Sequence, residues 1–539
     1  MTKAFVNFDV VYINNFSHYA VQLSPPLLFG LDKAYLLKPG KIVDTYFELM
    51  VNISEALGAN KSDAQKQLKD SLYFEIQIAQ ISSLSSNPDQ TTHMSINDLQ
   101  QQYGYVSWLE FINNLLPENV TLKSTDTVYV QEREYFFKLK NLLDKTDKRV
   151  QANYAIWRAI LEKINYFPED TLTLYSQASD IIDNASQEKN KNIRCTLECY
   201  QSLPDVLNAM YLRHFGKNNI DKVNEIIRYL KSSFGEIISD VEWMDYATKI
   251  KALEKLREMQ ISVNHDNSEL LEKYYKNLEL DPTDYFNNSL KVYILRTDNR
   301  YRNLLSNKKK WIEEDEVKAS ASYYPPGNRI FISAAILHPP FFSESVPMYI
   351  NFGSLGVIIG HEIIHGFDDI GSRYDKHGDL NSWWSELTTS LYENQTQCLI
   401  NQYSSYKLLN ISINGTSTLI ENIADNGGIK LAFSAYYNWL KDHEEETTGN
   451  LKYSARQMFW IVAARNWCGF YRNEYLKDLI TVCNKYPPSK FRVKGPFSNS
   501  EEFAVAFNCP KGSNMNPREK CLMWQDTHYD LSIIQDILR

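Results

Sequence analysis

Two histidines and a glutamate fall in the order HExxH, in the run His361-Glu362-Ile363-Ile364-His365. On a helix, positions i and i+4 share one face, so both imidazoles can reach a single ion. Glu362 follows the first histidine and can face a water on that ion. This grouping suits zinc-assisted hydrolysis. The ion would lower the pKa of its water and polarise a carbonyl, while the glutamate takes the proton. The plainer alternative is a pair of surface histidines on an ordinary helix. Against it, the preceding Val357-Ile358-Ile359-Gly360 is apolar and would bury the helix. A buried imidazole needs hydrogen-bond partners.

A third ligand must come from elsewhere in the chain. Glu421-Asn422-Ile423-Ala424-Asp425 begins 60 residues after His361 and enters a helix-like run. Glu421 and Asp425 stand at i and i+4. One carboxylate could bind the metal, and the other could accept the second ring N–H of His361 and fix its tautomer. Spacing alone leaves open which does which. Gly360 removes a side chain close to the metal, and Gly427-Gly428 would permit close helix packing.

These groups need helices to hold them. Helical periodicity runs through 45–57, much of 58–100 and most of 103–290. It returns at 354–367, 380–406, 419–440, 452–465 and 500–506, and a short helix closes the tail. Extended pieces are expected within 1–45, at Val292-Tyr293-Ile294 and at Arg329-Ile330-Phe331-Ile332. Pro325-Pro326-Gly327 and Pro339-Pro340 limit the length of the later strands. The expected organisation has three segments. Residues 1–105 form the N-terminal part of a catalytic lobe with linking helices. Residues 106–294 form an inserted helical lobe, and 295–539 the catalytic domain.

Composition narrows the function. The 539 residues carry 57 basic and 66 acidic side chains, a formal charge of -9, which argues against a nucleic-acid scaffold and does not favour an anionic membrane surface. Hydrophobic residues make up 43%, enough to fill large cores and exclude global disorder. No run of 18 apolar residues is present, and MTKAFVNFDVVYINN does not read as a signal peptide. Seven cysteines in so long a chain point, taken alone, to a reducing compartment. Nine Asn-x-Ser/Thr sequons weigh little against that, since about six arise by chance in a chain so rich in asparagine.

Longer motifs surround the HExxH core. Ile359-Gly360-His361-Glu362 continues through Gly366-Phe367-Asp368-Asp369, and ENIADNGG spans Glu421 to Gly428. Leu337-His338-Pro339-Pro340-Phe341-Phe342 precedes them. Trp467-Cys468-Gly469, Phe491-Arg492-Val493-Lys494-Gly495, Asn499-Ser500, Phe503, Met515-Asn516-Pro517 and Lys520-Cys521 follow. In these motifs the chain resembles the neprilysin and endothelin-converting enzyme family of zinc metallopeptidases. The likeness covers essentially all of 295–539 and, more weakly, 1–294.

The resemblance implies a mainly α fold of the zincin type. Its two helical lobes would surround a central cavity, with a few short strands in the catalytic lobe. It implies one zinc per chain on His361, His365 and Glu421, with Glu362 as base and Asp425 behind the ligands. It implies a peptide substrate cut on the amino side of hydrophobic residues. Arg492 would grip a substrate carbonyl, and Ile358 and Trp467 would line the pocket for the residue after the scissile bond. Cys398 would pair with Cys521.

The chain departs from the family in three places. The family's Asn-Ala-aromatic-Tyr segment, which holds the substrate backbone, aligns with Ser320-Ala321-Ser322-Tyr323; a serine hydroxyl cannot copy a two-ended amide grip. The family's oxyanion-stabilising histidine aligns with Tyr486, which can donate a hydrogen bond but stays neutral. Third, the resemblance begins only after the family's membrane anchor and first cysteine-bearing segment, so an N-terminally truncated member is expected. Cys195, Cys468 and Cys509 match cysteines whose partners lie in that segment, whereas Cys199 and Cys483 have no counterpart. The family setting is extracellular or cell-surface and its members are glycoproteins, although this chain shows no signal or anchor. The departures also admit a catalytically weak homologue that only binds peptides. No nucleic acid partner is expected, and oligomeric state is not legible.

Overall fold

The structure, a computed structural model, describes residues 4–13, 18–26, 33–83, 91–182, 191–215, 220–263, 268–306, 319–444, 446–481 and 485–524. It is mainly helical with short strands, as expected. The chain divides into two compact units. One comprises Met1–Ser202 and Tyr275–Ile312, the other Leu203–Tyr274 and Glu313–Arg539. These boundaries do not coincide with the expected ones at 105/106 and 294/295. The reason lies in the cores. Phe8, Val10, Val21 and Phe74 pack in one cluster with Trp108, Ile112, Tyr135 and Tyr154, so no core boundary falls near residue 105. Likewise Val223, Leu230, Phe234 and Leu256 pack in one core with Ile330, Ile363 and Ile423.

The first unit holds a four-stranded sheet of order β1-β2-β4-β3, with β1 Asn7–Ile13, β2 His18–Ser24, β3 Thr91–Ser95 and β4 Thr127–Gln131. β2 and β4 run parallel, and the outer pairs are antiparallel. Ser95 ends β3 and starts the helix Ile96–Gln102, where it forms a reciprocal cap with Asp98.

Helices Lys41–Ala56, Lys61–Ser83 and Lys148–Glu162 enclose a buried polar knot. The Tyr46 hydroxyl donates to Glu75 at 3.1 Å, Trp157 Nε1 donates to the Tyr46 oxygen at 2.8 Å, and Arg158 Nη1 lies 3.5 Å from Glu75. Burial pushes the Glu75 carboxyl up to about 7, against the pull of Arg158 and Tyr46.

The second unit holds a three-stranded sheet of order β5-β7-β6, with β5 Gln260–Val263, β6 Ala321–Tyr324 and β7 Arg329–Ile332. β5 is parallel to β7 and β6 antiparallel to it, so β6 is an edge. The β6–β7 turn closes through Pro325-Pro326-Gly327 and Asn328, which sits at φ 45, a left-handed position asparagine tolerates. A two-strand ribbon of Lys407–Leu408 and Ile411–Ser412 completes the β structure of this unit among the described residues.

Two helices form the centre of this unit. One runs from Met348 through a wide π turn at Phe352–Gly356 into Val357–His365. The other, Leu419–Asp442, is buried along almost all of its first four turns. They touch backbone to backbone. A Cβ on Gly360 would lie 2.7 Å from the Gly428 carbonyl oxygen, and one on Gly428 would lie 2.5 Å from the His361 nitrogen. Both glycines are required by this approach.

Several sequence expectations change. Val292-Tyr293-Ile294 is not a strand but part of the helix Tyr285–Tyr301, begun by the Asp284 side chain accepting from the Asn287 N–H. Three apolar residues are too few to separate the two periodicities. The helix expected at 380–406 starts only at Glu386, where the Ser385 hydroxyl accepts from the Thr388 N–H. Strands β3, β4, β5 and β6 and the short ribbon were not expected. The closing helix of the tail lies outside the described residues.

Two tests follow from these features. Gly428→Ala should force the two central helices apart and destabilise the protein by about 1–3 kcal/mol, read by thermal unfolding; an unchanged midpoint would show that the contact has slack. Glu75 supplies a pH test. Its folded pKa exceeds its unfolded value of 4.5, so the folded state holds the extra proton between about 4.5 and 7. Stability from this group therefore falls as pH rises through that window, by at most on the order of 3 kcal/mol. Glu75→Gln should flatten the decline in melting temperature between pH 5 and 8, and identical slopes would refute the assignment.

Candidate metal centre

His361 and His365 project from one face of the helix Val357–His365, and Glu421 enters from the first turn of Leu419–Asp442. Their ligand atoms all lie within 4.8 Å of one another. The two Nε2 atoms are 2.9 Å apart, and Glu421 oxygens stand 3.4 Å from the first and 4.0 Å from the second.

The other ring nitrogens face carboxylates. His365 Nδ1 lies 2.6 Å from Asp368 Oδ2. His361 Nδ1 lies 2.9 Å from Asp425 Oδ1, an ion-pair approach that is bent away from a straight hydrogen bond. Carboxylates at both Nδ1 positions hold ring protons there and turn both Nε2 atoms toward each other and toward Glu421. At that distance the two Nε2 atoms share a cation, either a proton in a hydrogen bond or a metal ion. Two imidazole nitrogens and one carboxylate are also the donor set of a catalytic zinc site with one open position. The residues present therefore fit zinc.

The electrostatics agree. Burial alone would lower the His361 pKa, but Asp425 and Glu421 outweigh it and lift it to about 10. Burial likewise works to raise the Glu421 and Asp425 carboxyls. His361 and Arg492 overcome it, and both pKa values fall below their ordinary range. The surrounding carboxylates favour positive charge at the imidazoles. Glu362, next along the helix, is buried, and its carboxylate makes no hydrogen bond or ion pair among the described residues.

Arg492 lies on the helix Ser489–Ser498. Nε donates to Asp425 Oδ2 and Nη2 to Asp425 Oδ1, each at 2.7 Å, and Nη2 also reaches Glu421 at 3.1 Å. The guanidinium rests on the Trp467 ring, 3.8 Å from its centroid, and 5.5 Å from that of Tyr486. Tyr486 is half-exposed. Its pKa is raised above the ordinary phenol chiefly by the charge of Glu421, with burial second, so its hydroxyl keeps its proton.

The remaining candidates are spread along this unit. Ser320 precedes edge strand β6, and its backbone N–H donates to Ser333 Oγ at 3.1 Å. Ala321 and Tyr323 occupy the partly buried positions of β6, and the Tyr323 hydroxyl donates to Asn328 Oδ1 at 3.1 Å. Ile358 packs against the core. Cys398 and Cys521 form a disulfide. The Cys521 N–H donates to Asn499 Oδ1, and Asn499 Nδ2 donates to Asn426 Oδ1, next to Asp425. Cys195, Cys199, Cys468 and Cys509 are free thiols, and Cys483 lies outside the described residues.

Two contributors were not read from the sequence. Asp368 was quoted within a motif but given no task. Its place three residues after His365 was the available signal. Its Oδ1 accepts from the Ile370 and Gly371 N–H groups at 2.8 and 2.7 Å, which aims Oδ2 at His365. Lys255 lies on the helix Tyr246–Glu258, in the buried stripe of Thr248, Ala252 and Leu256, where a lysine is out of place. Burial pushes its ammonium down to about 7, opposed by Asp368 and Asp375.

HExxH on one helix, completed by a glutamate from another, defines a metallopeptidase. Two family models described as peptidase family M13 match this chain, over residues 2–266 and 320–523. The chain is 34% identical to neprilysin-2 of Drosophila melanogaster, across 96% of this chain and 71% of that protein. It is 31% identical to an endothelin-converting enzyme homolog of Locusta migratoria, across 90% and 69%. The fold matches a zinc metalloprotease of Mycobacterium tuberculosis solved with an inhibitor. The TM-score is 0.83 at 22% identity, over 97% of this chain and 81% of that one. The chain belongs to peptidase family M13, the family that the sequence motifs resembled, and is a metalloendopeptidase.

Asp425 carries the test of this geometry. Asp425→Asn removes the charge that aligns both His361 and Arg492. Zinc affinity should fall about 10–100-fold, measured by competition with a chromophoric chelator. Unchanged affinity would mean that Asp425 serves Arg492 alone.

Proposed function

We propose that this protein is a zinc-dependent endopeptidase of small or medium peptides, cutting on the amino side of hydrophobic residues, with one zinc per chain. The observation that carries this reading is the convergence of His361, His365 and Glu421, with both Nδ1 atoms turned to carboxylates.

In this reading His361, His365 and Glu421 hold the zinc, and Asp425 keeps His361 in its ligating tautomer. Bound there, zinc would acidify a water and polarise the scissile carbonyl. Glu362 accepts the proton of the attacking water and passes it to the departing amine. Arg492 Nε and Nη2 are engaged by Asp425 and Glu421. Nη1 makes no such bond among the described residues, so it is the donor for a substrate carbonyl. Tyr486 donates to the oxyanion in place of a histidine. The edge of β6 away from β7, with Ser320, Ala321 and Tyr323, receives the peptide as an added strand. Ile358 and Trp467 line the pocket for the residue after the cut.

An extracellular or cell-surface setting accords with the Cys398–Cys521 disulfide and with the exposed sequon asparagines Asn60, Asn119, Asn287, Asn394, Asn410 and Asn414. Among the described residues no helix is long and apolar enough to cross a membrane.

The deciding experiment couples zinc stoichiometry to hydrolysis of a quenched fluorogenic peptide. Wild type should bind one zinc and lose activity to a chelator. Glu362→Gln should keep its zinc while turnover drops by about 10²–10⁴. Equal turnover by that variant would remove Glu362 as base, and a folded wild type without zinc would remove the whole reading.

A further inference from the structure

Lys255 is fully buried, and its ammonium nitrogen lies 2.6 Å from each of three backbone carbonyls, those of Gly366, Gly371 and Tyr374. Gly366 is the residue at which the HExxH helix ends. Gly371 and Tyr374 lie beyond Asp368, on the far side of the turn. One cation thus gathers the ends of the segment that carries Asp368. It also sits against the negative end of the helix that carries both histidines. The rings of Phe367, Trp383 and Tyr323 surround it at 5.4, 5.7 and 5.9 Å from their centroids. Its own backbone carbonyl accepts from Asn328 Nδ2 at 2.9 Å, which ties it to the β6–β7 turn.

The segment that Lys255 closes has one polar product. With the turn closed, the Ile370 and Gly371 N–H groups fix Asp368 Oδ1, and Oδ2 meets His365 Nδ1. An apolar side chain at 255 would remove the donor these three carbonyls share, leaving only the Tyr374 N–H on the Gly371 oxygen and Trp383 Nε1 on the Tyr374 oxygen, and would loosen the turn. Asp368 would then lose its aim on the ligand.

We propose that Lys255 is a positioning residue for the metal ligand His365, acting through the turn that holds Asp368, and that it sets metal affinity. This rests on the zinc reading above. A lysine that merely stabilised the core would lower the melting temperature and leave the affinity and geometry of the bound metal alone.

The test compares wild type, Lys255→Met, Asp368→Asn and the double variant in the full chain. Zinc affinity is measured by chelator competition, ligand geometry by the visible absorption of the cobalt-loaded protein, and folding by circular dichroism. Lys255→Met should bind zinc about 10–100-fold more weakly, with an altered cobalt spectrum. The double variant should be no more than about twofold weaker than Asp368→Asn, because both changes break one path. Lys255→Gln, which keeps two donors, should fall between wild type and Lys255→Met and serves if the methionine variant folds poorly. Wild-type affinity and spectrum in a folded Lys255→Met, or losses that multiply in the double variant, would overturn the proposal. So would loss of native circular dichroism in both Lys255 variants, which would make the residue structural. Wild type that binds no zinc would instead defeat the reading on which the proposal rests.

Discussion

Two imidazole nitrogens facing each other at 2.9 Å must share a cation between them, a proton or a metal ion. Each ring is held from behind by a carboxylate, and a third carboxylate closes the front. Every major feature of the second unit contributes to that one constraint. The bare backbones at Gly360 and Gly428 bring the two helices close enough for Glu421 to reach the histidines. Arg492 offsets part of the negative charge gathered there, and it lies between Asp425, Glu421 and the Trp467 ring. Desolvating so many charges is costly, and the cost is offset only because each has a partner within hydrogen-bond range or a place reserved for a cation.

What was legible in the sequence follows a simple physical line. His361, Glu362 and His365 are close in the chain, so helical geometry alone fixes their relation. Glu421 and Asp425 could be read as a pair for the same reason. Which carboxylate serves as ligand depends on how two helices cross, and spacing carries no information about that; the resemblance supplied the assignment, and the distances place Glu421 nearest both Nε2 atoms. Lys255 stands more than a hundred residues before His361. Nothing local announces its task beyond a charge on a buried stripe.

The errors have equally local causes. The trio Val292-Tyr293-Ile294 is rich in strand-forming side chains, yet the Asp284 cap and the length of the surrounding run make it helical. Strands such as Thr127–Gln131 exist because partners from distant segments complete their hydrogen bonding, which no window of sequence displays. Compact units follow shared cores, which join segments far apart in the chain. One core of the first unit joins Phe8 and Phe74 to Trp108 and Tyr154.

The division of the chain has a consequence for how the protein is made. The second unit draws on two stretches, 203–274 and 313–539, separated by residues that belong to the first. During synthesis, β5 and Lys255 emerge long before β7 and the turn they complete. Until the later stretch arrives, a strand edge and a buried ammonium have no partners, and the half-made unit exposes apolar surface of the kind that chaperones retain. Long-range closure of this sort is slow. The metal centre is therefore among the last parts of the molecule to be assembled.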